Sequence, residues 1–279
     1  LQRVGLAGTT SWLAITLLAR FLYAEVPTQL LRALGYRLAR MQVYAIAWLR
    51  TFSNQVVPMT GIAVYLQQIR EKSGASWQDL AASSSQQVFI GVAALGAVGL
   101  IAVITNTRVT AEATLPSLFV FAALCAAAFA AALGVSWVIG KLPRALAKRI
   151  AAAADSFGKL SSNPGLIAAL VCVHGTGILL RGVRLWLLFE ILGVELEWNE
   201  ALLIVALAEA TVLIAITPGG LGIREAIIVG GASLLDIPVD VAVAVSLIDR
   251  LFVVVLTGVM AAPSAMYLFR RPAERHGRK

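Results

Sequence analysis

Nine charged side chains lie inside strongly apolar stretches of this 279-residue sequence, away from the ends of those stretches. If those stretches cross a bilayer, each charge is costly unless it is paired or hydrated, so each is a candidate for function. The nine are Arg20, Arg50, Arg181, Arg184, Glu209, Arg224, Glu225, Asp249 and Arg250.

A glycine-rich turn precedes two of these charges. It consists of Pro218, Gly219, Gly220 and Gly222. Glycines permit a tight turn and close approach to a ligand, and the helix that follows presents N–H groups and a positive dipole end. Arg224 and Glu225 open that helix, and Asp249 and Arg250 lie at a similar depth in the last apolar stretch. The combination suits an anion such as a phosphate. The alternative, that Arg250 pairs with Glu225 only to hold the segment in place, stays open.

Two further groups of residues are candidates for binding. Arg181 and Arg184 are one helical turn apart, and they either contact substrate or extend to lipid head groups. The second group is Arg50, Asn54, Gln55, Pro58 and Gly61. Its polar members either line a polar cavity or satisfy the backbone that Pro58 interrupts.

The motifs of common enzyme classes are lacking. His174 and His276 are the only histidines, and there is no HExxH, GxSxG, Walker or GxGxxG motif and no Cys/His cluster. We therefore predict no catalytic residue, no metal and no cofactor, and we expect a transporter rather than an enzyme.

Composition identifies the elements that position these residues. Hydrophobic residues make up 59% of the chain and charged residues 14%, with a mean hydropathy of +0.84, well outside the range of soluble domains. Five stretches of about 19–30 residues are long enough to cross a bilayer as helices. They are 6–24, 80–105, 115–139, 166–192 and 239–269. The sequence therefore predicts an all-α polytopic membrane protein, and the net charge of +8 reflects its loops rather than a nucleic-acid partner.

Two other apolar stretches, 41–69 and 201–235, are broken by the Pro58–Gly61 and Pro218–Gly222 motifs. Their arms are too short to cross, so we predict two re-entrant hairpins.

The order crossing, hairpin, crossing occurs twice, at 6–105 and 166–269, within one transmembrane domain that comprises the chain 1–279. Because the single crossing 115–139 joins the copies, the second copy is inverted relative to the first, as in many transporters. The segment 141–160 is predicted to be an amphipathic helix on the cytoplasmic face, with a plain loop as the alternative, and 270–279 to be a basic tail.

The sequence resembles a known family at several of these motifs. Residues 216–225 (ITPGGLGIRE), the Asp249-Arg250 pair, residues 55–61 (QVVPMTG) and residues 180–186 (LRGVRLW) are similar to the transmembrane region of lysylphosphatidylglycerol synthase/flippase proteins, also called uncharacterised protein family 0104. Two departures stand out. Gln86 and Gln87 replace residues that are often charged in the first repeat, and no soluble aminoacyl-transfer domain is encoded in these residues.

The resemblance implies a flippase for an anionic phospholipid or a prenyl-phosphate-linked lipid, working by alternating access in the cytoplasmic (inner) membrane of a bacterium. An intramembrane enzyme, or a subunit of machinery for aminoacyl or glycosyl transfer to lipids, is the alternative. Lipids with anionic head groups are the expected partners. A homo-oligomer and a separate lipid-modifying enzyme are left open as further partners.

The distribution of charge gives a testable topology. Fifteen of the 23 lysines and arginines fall in segments assigned to one side, and only Arg108 falls on the other, so the tail and 140–163 should be cytoplasmic. A cysteine placed at Glu197 should react with a membrane-impermeant reagent added outside the cell, whereas one at Lys148 should not. Equal labelling of the two positions would contradict the assignment.

Overall fold

The computed structural model of the protein is all-helical over the residues it describes. These are 5–106, 111–141, 144–211 and 220–270, with the side chains of 111–113, 129 and 131–150 excepted. The ten helices are α1 (Gly5–Ala33), α2 (Arg40–Val56), α3 (Thr60–Ser73), α4 (Trp77–Thr105), α5 (Ala111–Lys141), α6 (Arg144–Ser161), α7 (Pro164–Ile191), α8 (Trp198–Ala210), α9 (Ile223–Ser233) and α10 (Val239–Arg270). The predicted all-α class is confirmed.

Five long helices, α1, α4, α5, α7 and α10, occupy the five stretches predicted to cross the membrane. Among the described residues, α1, α4 and α7 are both long and apolar enough to span a bilayer. Local caps set where two of them begin. The Ser76 hydroxyl accepts the Asp79 N–H at the start of α4, and the Asn163 side chain accepts the Leu166 N–H at the start of α7.

Shorter helices occupy the two predicted hairpins. In the first, α2 has 17 residues and α3 has 14; in the second, α8 has 13 and α9 has 11. At 1.5 Å per residue, each is shorter than the roughly 30 Å core of a bilayer. The arms of each hairpin pack against each other. Helix α3 extends beyond the predicted end at Ile69, because the charged residues 70–72 continue it until Gly74 adopts a left-handed φ of 70°.

The turn of the first hairpin depends on a close approach of its two arms. The Asn54 carboxamide oxygen accepts the Gly61 N–H at 2.8 Å, and the Thr60 hydroxyl donates to the Ser53 carbonyl at 3.0 Å. A Cβ atom added at Gly61 would overlap the Arg50 carbonyl oxygen and lie 2.6 Å from the Asn54 Cγ. The missing side chain therefore lets α3 pack directly on α2.

The packing of the helices has the pattern expected of a repeat. Helix α1 packs against α4, and α7 packs against α10; the first hairpin arm α2 packs against α10, and its counterpart α8 packs against α4. Helices α1 and α7 pack against each other. The first arm of each predicted hairpin thus packs against the last long helix of the other predicted repeat. The orientation of the repeats in a membrane stays a prediction.

Helix α6 occupies most of the segment 141–160, for which the sequence predicted an amphipathic helix, with a plain loop as the alternative. Asp79 near the start of α4 accepts hydrogen bonds from the hydroxyls of Ser76, Tyr36 and Ser156, and Ser156 lies on α6. Burial and the hydrogen bond to Asp79 raise the pKa of Tyr36. These bonds fix α6 to the first repeat, while its position at a membrane surface stays a prediction.

Replacing Gly61 tests the close packing of the first hairpin. Gly61→Ala should lower the melting temperature of the purified protein, because the backbone must shift at a cost of roughly 1–3 kcal/mol. Gly175→Ala on α7 is the matched control, since its added Cβ would contact nothing within 4 Å. A melting temperature as high for Gly61→Ala as for Gly175→Ala would contradict this account.

Candidate functional site

Asp249, on α10, is the most deeply buried charged group of the site. It is 2% exposed, and its Oδ1 lies 2.9 Å from the Arg184 Nε. The Arg184 Nη2 donates to Oδ2 at 3.0 Å, and the Trp12 indole N–H donates to Oδ1 at 3.1 Å. The Arg184 guanidinium also lies 5.1 Å from the centre of the Trp12 ring. One carboxylate therefore joins α10, α7 and α1.

Glu209, at the end of α8, is the second carboxylate. Its Oε1 lies 3.2 Å from the Arg181 Nε and 3.6 Å from the Arg224 Nη2. The same Arg224 nitrogen is 3.8 Å from the Asp249 Oδ2. Arg224 therefore lies between two carboxylates and connects the second hairpin to α10.

Glu225, on the first turn of α9, is the third carboxylate. Its Oε1 lies 3.6 Å from the Arg250 Nη1, and its Oε2 accepts the Gly222 N–H at 2.7 Å. Gly222 has a φ of 85°, and Gly220 has a φ of 73°, conformations that favour glycine. Glu225 thus places an anion of the protein itself at the start of α9, where the sequence had suggested a bound external anion. Arg250 lies beside Glu225, as in the alternative in which the two residues pair with each other.

Arg20 is one of the charges within the apolar stretches of the sequence, but it was not among the predicted binding residues. Its Nη1 donates to the Thr51 hydroxyl on α2 at 2.8 Å, and its guanidinium lies 5.3 Å from the centre of the Trp48 ring. Arg20 interacts electrostatically with Arg181 and Glu209, yet no carboxylate among the described residues lies within 4 Å of it. The sequence held a signal for Arg20, because it lies 41 residues before Gly61, as Arg181 lies 41 residues before Gly222.

The predicted residues of the first hairpin serve its turn or pack locally. Asn54 bonds to the Gly61 backbone, which favours the interpretation that it satisfies the broken helix. Arg50 lies 5.0 Å from the centre of the Tyr65 ring, and Gln55 and Pro58 are half-buried. Of the second turn, Pro218 and Gly219 lie outside the described residues.

Together these residues form a network, hereafter the arginine network, of five arginines and three carboxylates. Its members are Arg20, Arg181, Arg184, Arg224, Arg250, Glu209, Glu225 and Asp249. Each carboxylate lies within 4 Å of at least one arginine. With all eight groups charged, the network carries two positive charges in excess, an arrangement that suits the binding of an anion.

The described residues include no group of three or more His, Cys, Asp or Glu side chains placed to hold a metal ion.

The family model described as "Lysylphosphatidylglycerol synthase TM region" matches residues 7–261 of the chain, which include the whole arginine network. No curated protein and no solved structure matches the chain.

Removing the charge of Asp249 tests its place in the network. Asp249→Asn keeps the shape of the side chain but leaves Arg184 without its closest anion, and unpairing a buried charge costs roughly 3–5 kcal/mol. We expect a clearly lower melting temperature in detergent solution and faster proteolysis. Asp240→Asn, at an exposed position in the first turn of the same helix, should change stability by less than about 1 kcal/mol. Equal melting temperatures for the two variants would contradict the central role of Asp249.

Proposed function

Because the chain belongs to the family of the lysylphosphatidylglycerol synthase transmembrane region, we propose that it moves an anionic lipid between the leaflets of its membrane. The substrate class is a phospholipid or a prenyl-phosphate-linked lipid whose head group carries a phosphate. The head group passes through the protein interior while its hydrocarbon chains stay in the bilayer.

The observation that carries this proposal is the excess of positive charge in the arginine network. An uncompensated charge inside a membrane protein is unfavourable by several kcal/mol, and a bound anion relieves that cost. A scaffold that used its charges only to hold helices together would gain nothing from the excess. A phosphate ester balances one or both of the extra charges.

Arg20 is the proposed contact for the head group. Arg181, Arg184, Arg224 and Arg250 each lie within 4 Å of a carboxylate, whereas Arg20 is held by a hydroxyl and an aromatic face. Its remaining N–H groups suit a phosphate, which accepts strong charge-assisted hydrogen bonds from guanidinium groups. The proposed site lies where α1 packs against both α2 and α7.

The reciprocal packing of the two repeats supports movement by alternating access. Because α2 packs on α10 and α8 packs on α4, rocking one repeat against the other moves both hairpins relative to the long helices. Transporters with inverted repeats expose a central site to each side in turn by such motions. In the proposed orientation, the protein lies in a bacterial inner membrane with its C-terminus in the cytoplasm.

Lipid transport by the Arg20→Gln variant tests the proposal. Protein reconstituted into liposomes should move a fluorescent phosphatidylglycerol between leaflets, as measured by its protection from a membrane-impermeant quencher. Arg20→Gln should slow this transport roughly ten- to hundredfold, the range expected for the loss of a hydrogen bond to a charged group. The melting temperature of each variant shows whether it is folded.

A double variant serves as the matched control. Arg250→Gln with Glu225→Gln removes a positive and a negative group together from the same network, so the charge excess and the transport rate should be retained. A folded Arg20→Gln variant with the wild-type rate would overturn the proposed binding site. A chemically altered lipid, detected by mass spectrometry, would instead favour an intramembrane enzyme.

A further inference from the structure

One buried titratable side chain, His174 on α7, has no role in the arginine network. It is 4% exposed, and its Nε2 has no hydrogen-bond partner among the described residues. Leaving a buried polar atom unpaired is unfavourable, and such atoms call for an explanation in a native structure.

The surroundings of His174 hold the ring in place without using that nitrogen. The ring of Tyr23 on α1 meets the imidazole edge to face, with the ring centres 5.2 Å apart. On the α4 side, a Cβ added at Gly91 would lie 3.3 Å from the His174 Cε1, so only a glycine leaves the ring its present room. The imidazole, which α7 carries, is thus fixed between α1 and α4.

The position of His174 relative to the network follows from the antiparallel packing of α1 and α7. Along this interface Trp12 meets Arg184, and Tyr23 meets His174, with Arg20 between Trp12 and Tyr23. Tyr23 is one helical turn from Arg20, and His174 is two turns from Arg181. Along the helix axes, His174 is therefore roughly 5 Å from Arg20, the proposed phosphate contact, and roughly 11 Å from Arg181.

Few titratable or charged groups face His174. Tyr23 faces it from α1, and Arg181 is the nearest charge on its own helix. Its contact with α4 is through Gly91, and α6 meets the beginning of α7 through Leu160. The carboxylates that α8 and α10 present to α7 are those already bound to Arg181 and Arg184.

We propose that His174 is a proton-binding site coupled to the lipid, gaining a proton when an anionic head group binds beside Arg20 and losing it when the head group leaves. The proton comes from water and bonds to the Nε2 lone pair, which converts a neutral imidazole into an imidazolium of charge +1. The negative charge of the phosphate lowers the electrostatic cost of this additional positive charge. This inference rests on the proposed function.

The coupling has a simple electrostatic basis. Without an anion, an imidazolium would add a further positive charge near Arg181 and Arg20. That addition is unfavourable, so the imidazole remains neutral. A bound phosphate offsets that repulsion. At about 10 Å in a medium of effective dielectric constant near 20, one charge changes the proton affinity of another site by roughly tenfold. By reciprocity, protonation must tighten lipid binding by the same factor.

Titration calorimetry with a short-chain phosphatidylglycerol tests the coupling in the detergent-solubilised chain. Measurements near pH 5 in buffers of different ionisation enthalpy give the number of protons taken up per bound lipid. Wild-type protein should take up a substantial fraction of one proton, and its affinity should tighten severalfold, up to roughly tenfold, from pH 7 to pH 4. His174→Gln should bind the lipid with no proton uptake and little pH dependence.

The chain offers a matched control in its other histidine, because His174 and His276 are the only two. His276→Gln should take up protons as the wild type does. Lipid binding without proton uptake in the wild type, or undiminished uptake in His174→Gln, would overturn the inference and leave the proposed function standing. Absence of phosphatidylglycerol binding altogether would overturn both.

A second measurement does not depend on the folding of the His174 variant. Protein labelled with ¹³C at the histidine Cε1 should give two ring signals, which His276→Gln assigns. Addition of phosphatidylglycerol near pH 5 should move the His174 signal toward the position of an imidazolium. A signal that stays at the neutral position with the lipid bound would refute the proton site.

Discussion

The structure depends on the burial of one carboxylate, Asp249, within a membrane-embedded bundle. An ionised carboxylate cannot remain at such a position without donors, and Arg184, Trp12 and Arg224 are brought to it from three other helices. Each donor restricts how its helix can pack: α7 must turn one face to α10, and α1 must place an indole beside the same group. Helix α1 therefore shares one electrostatic centre with α7, α9 and α10.

The two predicted repeats share a packing plan but not a charge pattern. Aligning Gly61 with Gly222, and Phe89 with Phe252, places uncharged residues of the first repeat opposite four charges of the second. The pairs are Ala63 and Arg224, Val64 and Glu225, Gln86 and Asp249, and Gln87 and Arg250. Gln86 and Gln87 are nevertheless buried, and Gln86 accepts a hydrogen bond from Ser161 on α6. The second repeat thus holds most of the fixed charge, while the first contributes Arg20 and neutral polar groups.

Much of the fold could be predicted from the sequence because the membrane imposes a length and polarity on each crossing helix. The long helices, and the breaks near Pro58 and Gly222, follow directly from this constraint. The pairing of Arg250 with Glu225 was one of the alternatives that the sequence left open. The pairing of Arg181 with Glu209 and of Arg184 with Asp249 could not be predicted, since it depends on which helices pack together. Arg20 was not among the predicted binding residues, because what distinguishes it from the other arginines is the lack of a carboxylate within 4 Å among the described residues, which no local motif encodes.

The position of Arg20 connects this imbalance to movement. Helices α1 and α7 are the corresponding first helices of the two repeats, and they pack against each other. Any motion of one repeat relative to the other must change the distances across this interface, and Arg20 and Arg181 both contribute charge there. Two arginines in proximity repel, and a shared anion would reverse that repulsion. An anion at this interface would thus alter the relative energies of arrangements in which the two arginines are near or far apart, which is the differential interaction that a ligand needs to shift a conformational equilibrium.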